Sequence, residues 1–350
     1  MKLGRRAFLG TASAAGLAVV IPHVARAERP GGAVLQIRLT GVGTQAATRW
    51  GVVGSELGVP YAVGDEEVRF LLGDTFGTPW PQNGREAMPM VMLRSRTQPG
   101  VIVFDGVVHD RPAVRMESGR QGVGIDGVWE ETALPTDGIC LPDGRHVISY
   151  VSVAQRDGAS YQSSYAGLAT SDNGVDFRRT NVKWWNNPTH DDPYQLRTMQ
   201  QDGRWVYVFS VPSERRPGGM MLRRVRWDSL LDPAAYQGWN AHERAWGRPC
   251  SPIVDGSFGE PSVRRLKDGT WVMSYLNADT HRIVTRTSAS PIGPWSPEKV
   301  QVTSSQEPGL YGGFVHPWST LDNLHLVVSA RRSVAGISTT YRVSQYAGSA

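Results

Sequence analysis

The 350-residue sequence predicts an all-β fold, a five-bladed β-propeller forming a single domain behind an N-terminal export signal. Three observations carry that reading. A turn-and-strand unit recurs five times, its copies stand at blade-sized intervals, and helical periodicity is nearly absent beyond short pieces such as Ser229–Tyr236. The 39 glycines, 23 prolines and 12 tryptophans suit a turn-rich β protein. With 40% hydrophobic and 20% charged residues, the chain is globular rather than disordered, collagen-like or coiled-coil.

The repeat begins at Asp65 and returns at Asp143-Gly144, Asp202-Gly203, Asp268-Gly269 and, more weakly, Asp322-Asn323, with spacings of 78, 59, 66 and 54 residues. An Asp-Gly or Asp-Asn pair tolerates the positive φ of a tight hairpin, and the alternating aromatic and β-branched residues after it form the return strand. A further short strand follows each copy: 91–96, 165–171, 220–226, 283–287 and 338–343. Residues 170–177 (Thr-Ser-Asp-Asn-Gly-Val-Asp-Phe) resemble the Asp-box hairpin of propeller proteins. A β-sandwich is the competing architecture. No domain boundary interrupts the series.

Residues 1–27 read as a twin-arginine leader: Arg5-Arg6, an apolar stretch ending at Ile21, Pro22, and the Ala25-Arg26-Ala27 cleavage pattern. The apolar run, about fifteen residues, falls short of the ~20 that a spanning helix needs. The expectation is therefore an exported chain, periplasmic or secreted, with a propeller over residues 28–350 and no membrane span once the leader is removed. Four of the basic residues lie in that acid-free leader, so the net charge of +5 becomes +1 without them. A basic pI of that origin gives no reason to expect nucleic acid as a partner. Cys140 and Cys250 leave a disulfide and two thiols equally open.

Ligands of propellers sit where the inner strands begin, at one end of the central channel. Six to nine residues before each turn stand Glu56, Asp137, Gln195, Glu260 and His316, a polar ring at the expected axis. Glu56 and Asp74 lie nine residues on either side of Asp65, so a symmetric hairpin sets them face to face, Cα atoms roughly 4.5–5.5 Å apart. Two such carboxylates repel, and one tends to hold a proton near neutrality, the condition for a general acid beside a base or nucleophile. A bulge turning one acid to solvent, or neutralisation by Arg94, is the structural alternative. No cofactor or metal is expected. Glycines 122, 124 and 127 match a dinucleotide fingerprint without the strand–helix unit it requires, and His190-Asp191-Asp192 reads as a solvated acidic loop. Trp80, Trp184, Trp185 and Trp318 fit blade packing, with stacking on sugars as their functional alternative.

These residues also carry a likeness. Residues 50–58 (Trp-Gly-Val-Val-Gly-Ser-Glu-Leu-Gly) followed by 72–77 (Leu-Gly-Asp-Thr-Phe-Gly) resemble the opening signature of glycoside hydrolase family 183, formerly a domain of unknown function. Residues 259–263, 293–296 and 311–319 are similar to its later blocks. The resemblance implies a five-bladed propeller with endo-D-arabinanase activity, cleaving α-D-arabinofuranosyl linkages of a polysaccharide such as arabinogalactan or lipoarabinomannan. It implies catalytic acids at Glu56, where the family usually has aspartate, and Asp74. Glu260 is then expected as a third carboxylate, with His316, Gln195, Asp137 and Arg94 as substrate contacts. Inversion or retention depends on the carboxyl separation, roughly 6.5–9.5 Å against 5–5.5 Å. A sugar-binding propeller without turnover is the alternative from another class.

Overall fold

Each turn signal closes an antiparallel hairpin, and Gly144, Gly203 and Gly269 adopt the positive φ those turns demand. The computed structural model describes residues 32–77, 91–97, 100–108, 122–123, 127–157, 160–334 and 337–350. The leader, Trp80 and residues 124–126 of the glycine-rich run lie outside them.

Five sheets result. The first blade comprises Gly54–Val63, Glu67–Phe76, Val91–Ser95 and Gly106–Val107. The second holds Thr132–Cys140, His146–Asp157, Ser160–Ser171 and Arg178–Trp185. Leu196–Asp202, Trp205–Val211, Met221–Arg226 and Gln237–Asn240 make the third, with Ala245–Trp246 added at its rim. The fourth consists of Phe258–Arg265, Trp271–Asn277, Arg282–Ser288 and Lys299–Thr303. In the fifth, Leu310–Val315, Leu324–Val334 and Ile337–Gly348 are completed by the N-terminal strand Val34–Arg38, which pairs with the C-terminal one. The five first strands touch in cyclic order, so the sheets form a ring. Helix is confined among the described residues to Gln45–Trp50 and two 3₁₀ turns, Trp227–Ser229 and Pro233–Ala235.

The core lies between the blades. The second strands of the first four blades bury Phe70, Tyr150, Phe209 and Tyr275, aromatic residues large enough to fill the wedge between adjacent sheets. In the 171–177 turn, Asn173 Oδ1 accepts from the N–H groups of Val175 and Asp176, and Phe177 is buried beneath it. Cys140 and Cys250 are free thiols. No helix among the described residues is long and apolar enough to cross a membrane.

Candidate active site

The first blade's two leading strands and the fourth blade's inner strand bring three of the expected carboxylates to one end of the axis. In the first blade Ser55 pairs with Thr75 and Leu57 with Leu72, so Glu56 faces Gly73 and Asp74 across a one-residue slip in register. The bulge is there, yet neither acid is turned out: Glu56 is 6% exposed and Asp74 5%. Its kink is fixed by Leu57 and Gly58, at φ 65° and 95°. A Cβ on Gly58 would stand 2.8 Å from Val343 Cγ1, so a side chain there is excluded twice, by conformation and by space. Tyr311 and Ser329 hold Leu57 from the fifth blade. Leu57 N–H donates to Tyr311 Oη at 3.3 Å, and Ser329 Oγ donates to the Leu57 carbonyl. Thr132 Oγ1, at the head of the second blade's inner strand, donates to Asp74 Oδ1 at 2.6 Å.

Glu260 arrives from the fourth blade, itself in a bulge and at φ 32°. Arg215 Nη2 donates to its Oε1 at 3.2 Å, while Oε2 is buried without a hydrogen-bond partner. Burial pushes the Glu260 carboxyl above its ordinary range, against the lowering pull of Arg215. Burial likewise raises the Tyr311 phenol, and the fields of Glu56, Tyr341 and Glu260 add to it, which sets that hydroxyl among the carboxylates. Glu214, beside Arg215, donates its N–H to Tyr161 Oη at 3.3 Å and accepts at Oε1 from Ser163 N–H at 3.0 Å; His190 Nδ1 stands 3.1 Å from the same oxygen.

Backbone strain concentrates in this cluster. Of seven described non-glycine residues with positive φ, five are Leu57, His190, Glu214, Arg215 and Glu260. Such conformations cost about 1–3 kcal/mol each and persist where surroundings over-determine them, typically at functional sites. Arg215, Tyr311, Glu214, Tyr161 and Thr132 are the members that sequence reasoning missed. Only Tyr311 had left a signal, inside the 311–319 block.

Of the four expected substrate contacts, Asp137, His316 and Arg94 lie elsewhere, while Gln195 stands at the head of its blade with Oε1 buried and unpartnered. Asp137 is fully buried, and its oxygens accept five hydrogen bonds: from Arg264 Nη2 (2.6 Å) and Gly138 N–H (2.8 Å) at Oδ1, and from Arg264 Nη1 (2.9 Å), Thr198 Oγ1 and Met199 N–H (both 2.7 Å) at Oδ2. No lone pair is left for a ligand. Arg264 also donates to the Pro60 carbonyl at 2.7 Å, clamping three blades together. Since Pro60 and Arg264 follow Glu56 and Glu260 by four residues on their strands, the clamp lies roughly 13 Å down the axis. His316 is at that depth as well: it is 1% exposed, its Nδ1 accepts from Trp318 N–H at 3.3 Å, and burial pulls its pKa down to about 3. The ring of the buried Trp318 packs against it, at 5.7 Å.

Gln195 is wholly buried at the head of the third blade, its Nε2 donating to the Trp184 carbonyl (3.1 Å) and Asp192 Oδ1 (2.9 Å), which makes it a loop brace. Arg94 lies in the third strand opposite Arg69, five residues along from Asp74, and pairs with Asp105 at 3.2 Å, so it neither reaches nor neutralises the acids. His190 and Asp191 bond within their own loop and to Glu214, and the described residues contain no grouping fit to ligate a metal.

A five-bladed propeller with buried, strained carboxylates at one end of its axis is thus the class of protein defined here. The chain belongs to the family described as "Domain of unknown function (DUF4185)", which it matches over residues 42–347. A protein of Aspergillus sp. (strain MF297-2) named "Notoamide biosynthesis cluster protein J" is 45% identical over 351 residues, covering 95% of this chain and 94% of that one. Among solved structures the fold is shared with an exo-β-1,3-galactanase of Phanerochaete chrysosporium (TM-score 0.55, 10% identity, 90% of this chain and 64% of that one). The catalytic domain of a glycoside hydrolase family 62 α-L-arabinofuranosidase of Coprinopsis cinerea shares it too (TM-score 0.50, 10% identity, 91% and 97%).

Proposed function

We propose that the protein is a glycoside hydrolase working through Glu56, Asp74 and Glu260. The observation that carries this is the convergence of two buried carboxyls and a partly buried third from two blades at one end of the axis, the third with a buried, unpartnered oxygen. Hydrolysis of a glycosidic bond needs one carboxyl to protonate the leaving oxygen. A second must either deprotonate the attacking water or attack the anomeric carbon itself. Glu56 and Asp74 form that pair, and Glu260, held by Arg215, orients the sugar or raises a partner's pKa. The likeness to glycoside hydrolase family 183 further supports endo-cleavage of α-D-arabinofuranosyl linkages in a D-arabinan polysaccharide. The twin-arginine leader supports cleavage after Ala27 and action outside the cytoplasm, with residues 28–350 as the working propeller. Incubating the purified protein with D-arabinan tests the reading: new reducing ends on internal fragments are expected, and binding without cleavage of any furanoside polymer would give way to a lectin. N-terminal sequencing of the exported protein should begin near Glu28.

The Aspergillus relative, named for a biosynthesis cluster, favours a second reading, in which the same carboxylates act on a small molecule. Turnover of small aryl furanosides with D-arabinan left intact would select it.

A further inference from the structure

On one face of the third blade, four buried hydrogen-bond donors have no partner. Arg197 pairs in register with Ser210, and Arg223 with Val208, two residues along the same strand, so all three polar side chains share that face. Arg197 is 1% exposed, Ser210 0% and Arg223 7%; the unpartnered atoms are Arg197 Nη2, Arg223 Nε and Nη2, and Ser210 Oγ.

Aromatic rings cover the flat sides of both guanidinium groups. Arg197 Cζ stands 3.4 Å from the Trp184 ring centroid, and Arg223 Cζ 3.9 Å from that of Tyr194 and 5.4 Å from that of Trp184. The two distances to Trp184, 3.4 and 5.4 Å, bound the Cζ–Cζ separation at 8.8 Å. Arg197 Nε donates to the Tyr194 carbonyl at 2.7 Å, but the ring faces leave Arg197 Nη2 and Arg223 Nε and Nη2 without acceptors.

Neither arginine forms an ion pair among the described residues. The acid whose field both feel is Asp192, and its Oδ1 already accepts from Gln195 Nε2 and Tyr194 N–H, each at 2.9 Å. Burial disfavours both cations, and Arg223 further disfavours Arg197. Two buried like charges with unpartnered donors on one face call for a shared negative partner.

We propose that this seam binds one small monovalent anion of chloride's kind, ligated by Arg197, Arg223 and Ser210. The site pins the third blade to the Arg178–Trp185 strand of the second, and with it the 186–195 loop whose His190 reaches Glu214.

The test uses the whole protein. Chloride is titrated at constant ionic strength against sodium gluconate, too large for the seam, while the melting temperature is followed. A saturable rise of roughly 2–4 °C is expected. It should vanish in Arg223→Met and persist in Arg248→Met, which removes an exposed cation. Crystals soaked in bromide should show one anomalous peak between Arg197 and Arg223, a measurement that stands if Arg223→Met fails to fold. No peak overturns the proposal, as does a chloride response unchanged in Arg223→Met. A larger shift with phosphate at equal ionic strength would overturn the halide assignment.

Discussion

Two carboxylate regions at different depths along the axis behave in opposite ways. At one end of the axis Glu260 keeps an unpartnered oxygen, and the backbone around it, Glu56 and Asp74 is strained. Farther down, Asp137 accepts five hydrogen bonds and sits in a bidentate pair with Arg264. Burial is similar in both, so burial does not mark function. What separates the two is an unpartnered carboxylate oxygen in strained backbone against complete hydrogen bonding, the pattern expected where a substrate supplies the missing partner.

The sharpest way to break this contrast is to remove charge at both regions. We predict that Asp74→Asn and Glu56→Gln each lower hydrolysis by roughly 10²–10⁴-fold while leaving unfolding midpoints nearly unchanged. Near wild-type rates on D-arabinan would sink the paired-carboxylate role. At the clamp the pattern should invert. Asp137→Asn leaves Arg264 buried without a counter-charge and should cost about 3–5 kcal/mol in urea unfolding. A loss below 1 kcal/mol would show that the clamp does not hold the blades.

A smaller effect separates the regions by pH. His316 titrates near 3 in the fold against an ordinary value near 6.5, so between those values the unfolded chain takes up a proton that the buried ring refuses. Stability contributed this way is complete above pH 6.5 and is lost as pH falls toward 3. His316→Gln should therefore flatten the acid limb by on the order of 2–4 kcal/mol, with His146, pulled down to about 4, supplying a remaining slope. Parallel acid limbs for variant and wild type would contradict it. Smallest of all, Arg94→Ala removes a half-exposed pair with Asp105 and should change stability by under about 1 kcal/mol. Its kcat/KM should stay within twofold of wild type; a tenfold loss would place Arg94 at the site after all.

The sequence shows the blades clearly because each Asp-Gly turn fixes a register locally. In the first hairpin the residues facing across Asp65 can be counted off, and Glu56 does meet Asp74 to within one bulge. Height along the axis is less legible. Steps of nine and eight residues back from the turn reach the site in the first and fourth blades, whereas the six-residue steps to Asp137 and His316 stop short, near clamp depth. Asp137 and Arg264 lie 127 residues apart, and nothing local announces their pairing. Arg215 was hidden for another reason: it stands in a strand-to-strand turn, where left-handed backbone rather than strand periodicity aims the side chain.

The pairing of Val34–Arg38 with the last strand of the chain bears on when the protein can first do anything at all. Glu56, Asp74, Thr132, Arg215, Glu260 and Tyr311 are delivered by all five blades, and their relative positions depend on the circle being shut. Synthesis proceeds from one end, so the partner of the first strand is made last. The pairing joins segments more than 300 residues apart, so a long loop must close before the ring is shut. The candidate cluster is accordingly a property of the closed circle, assembled only when the fifth sheet is complete.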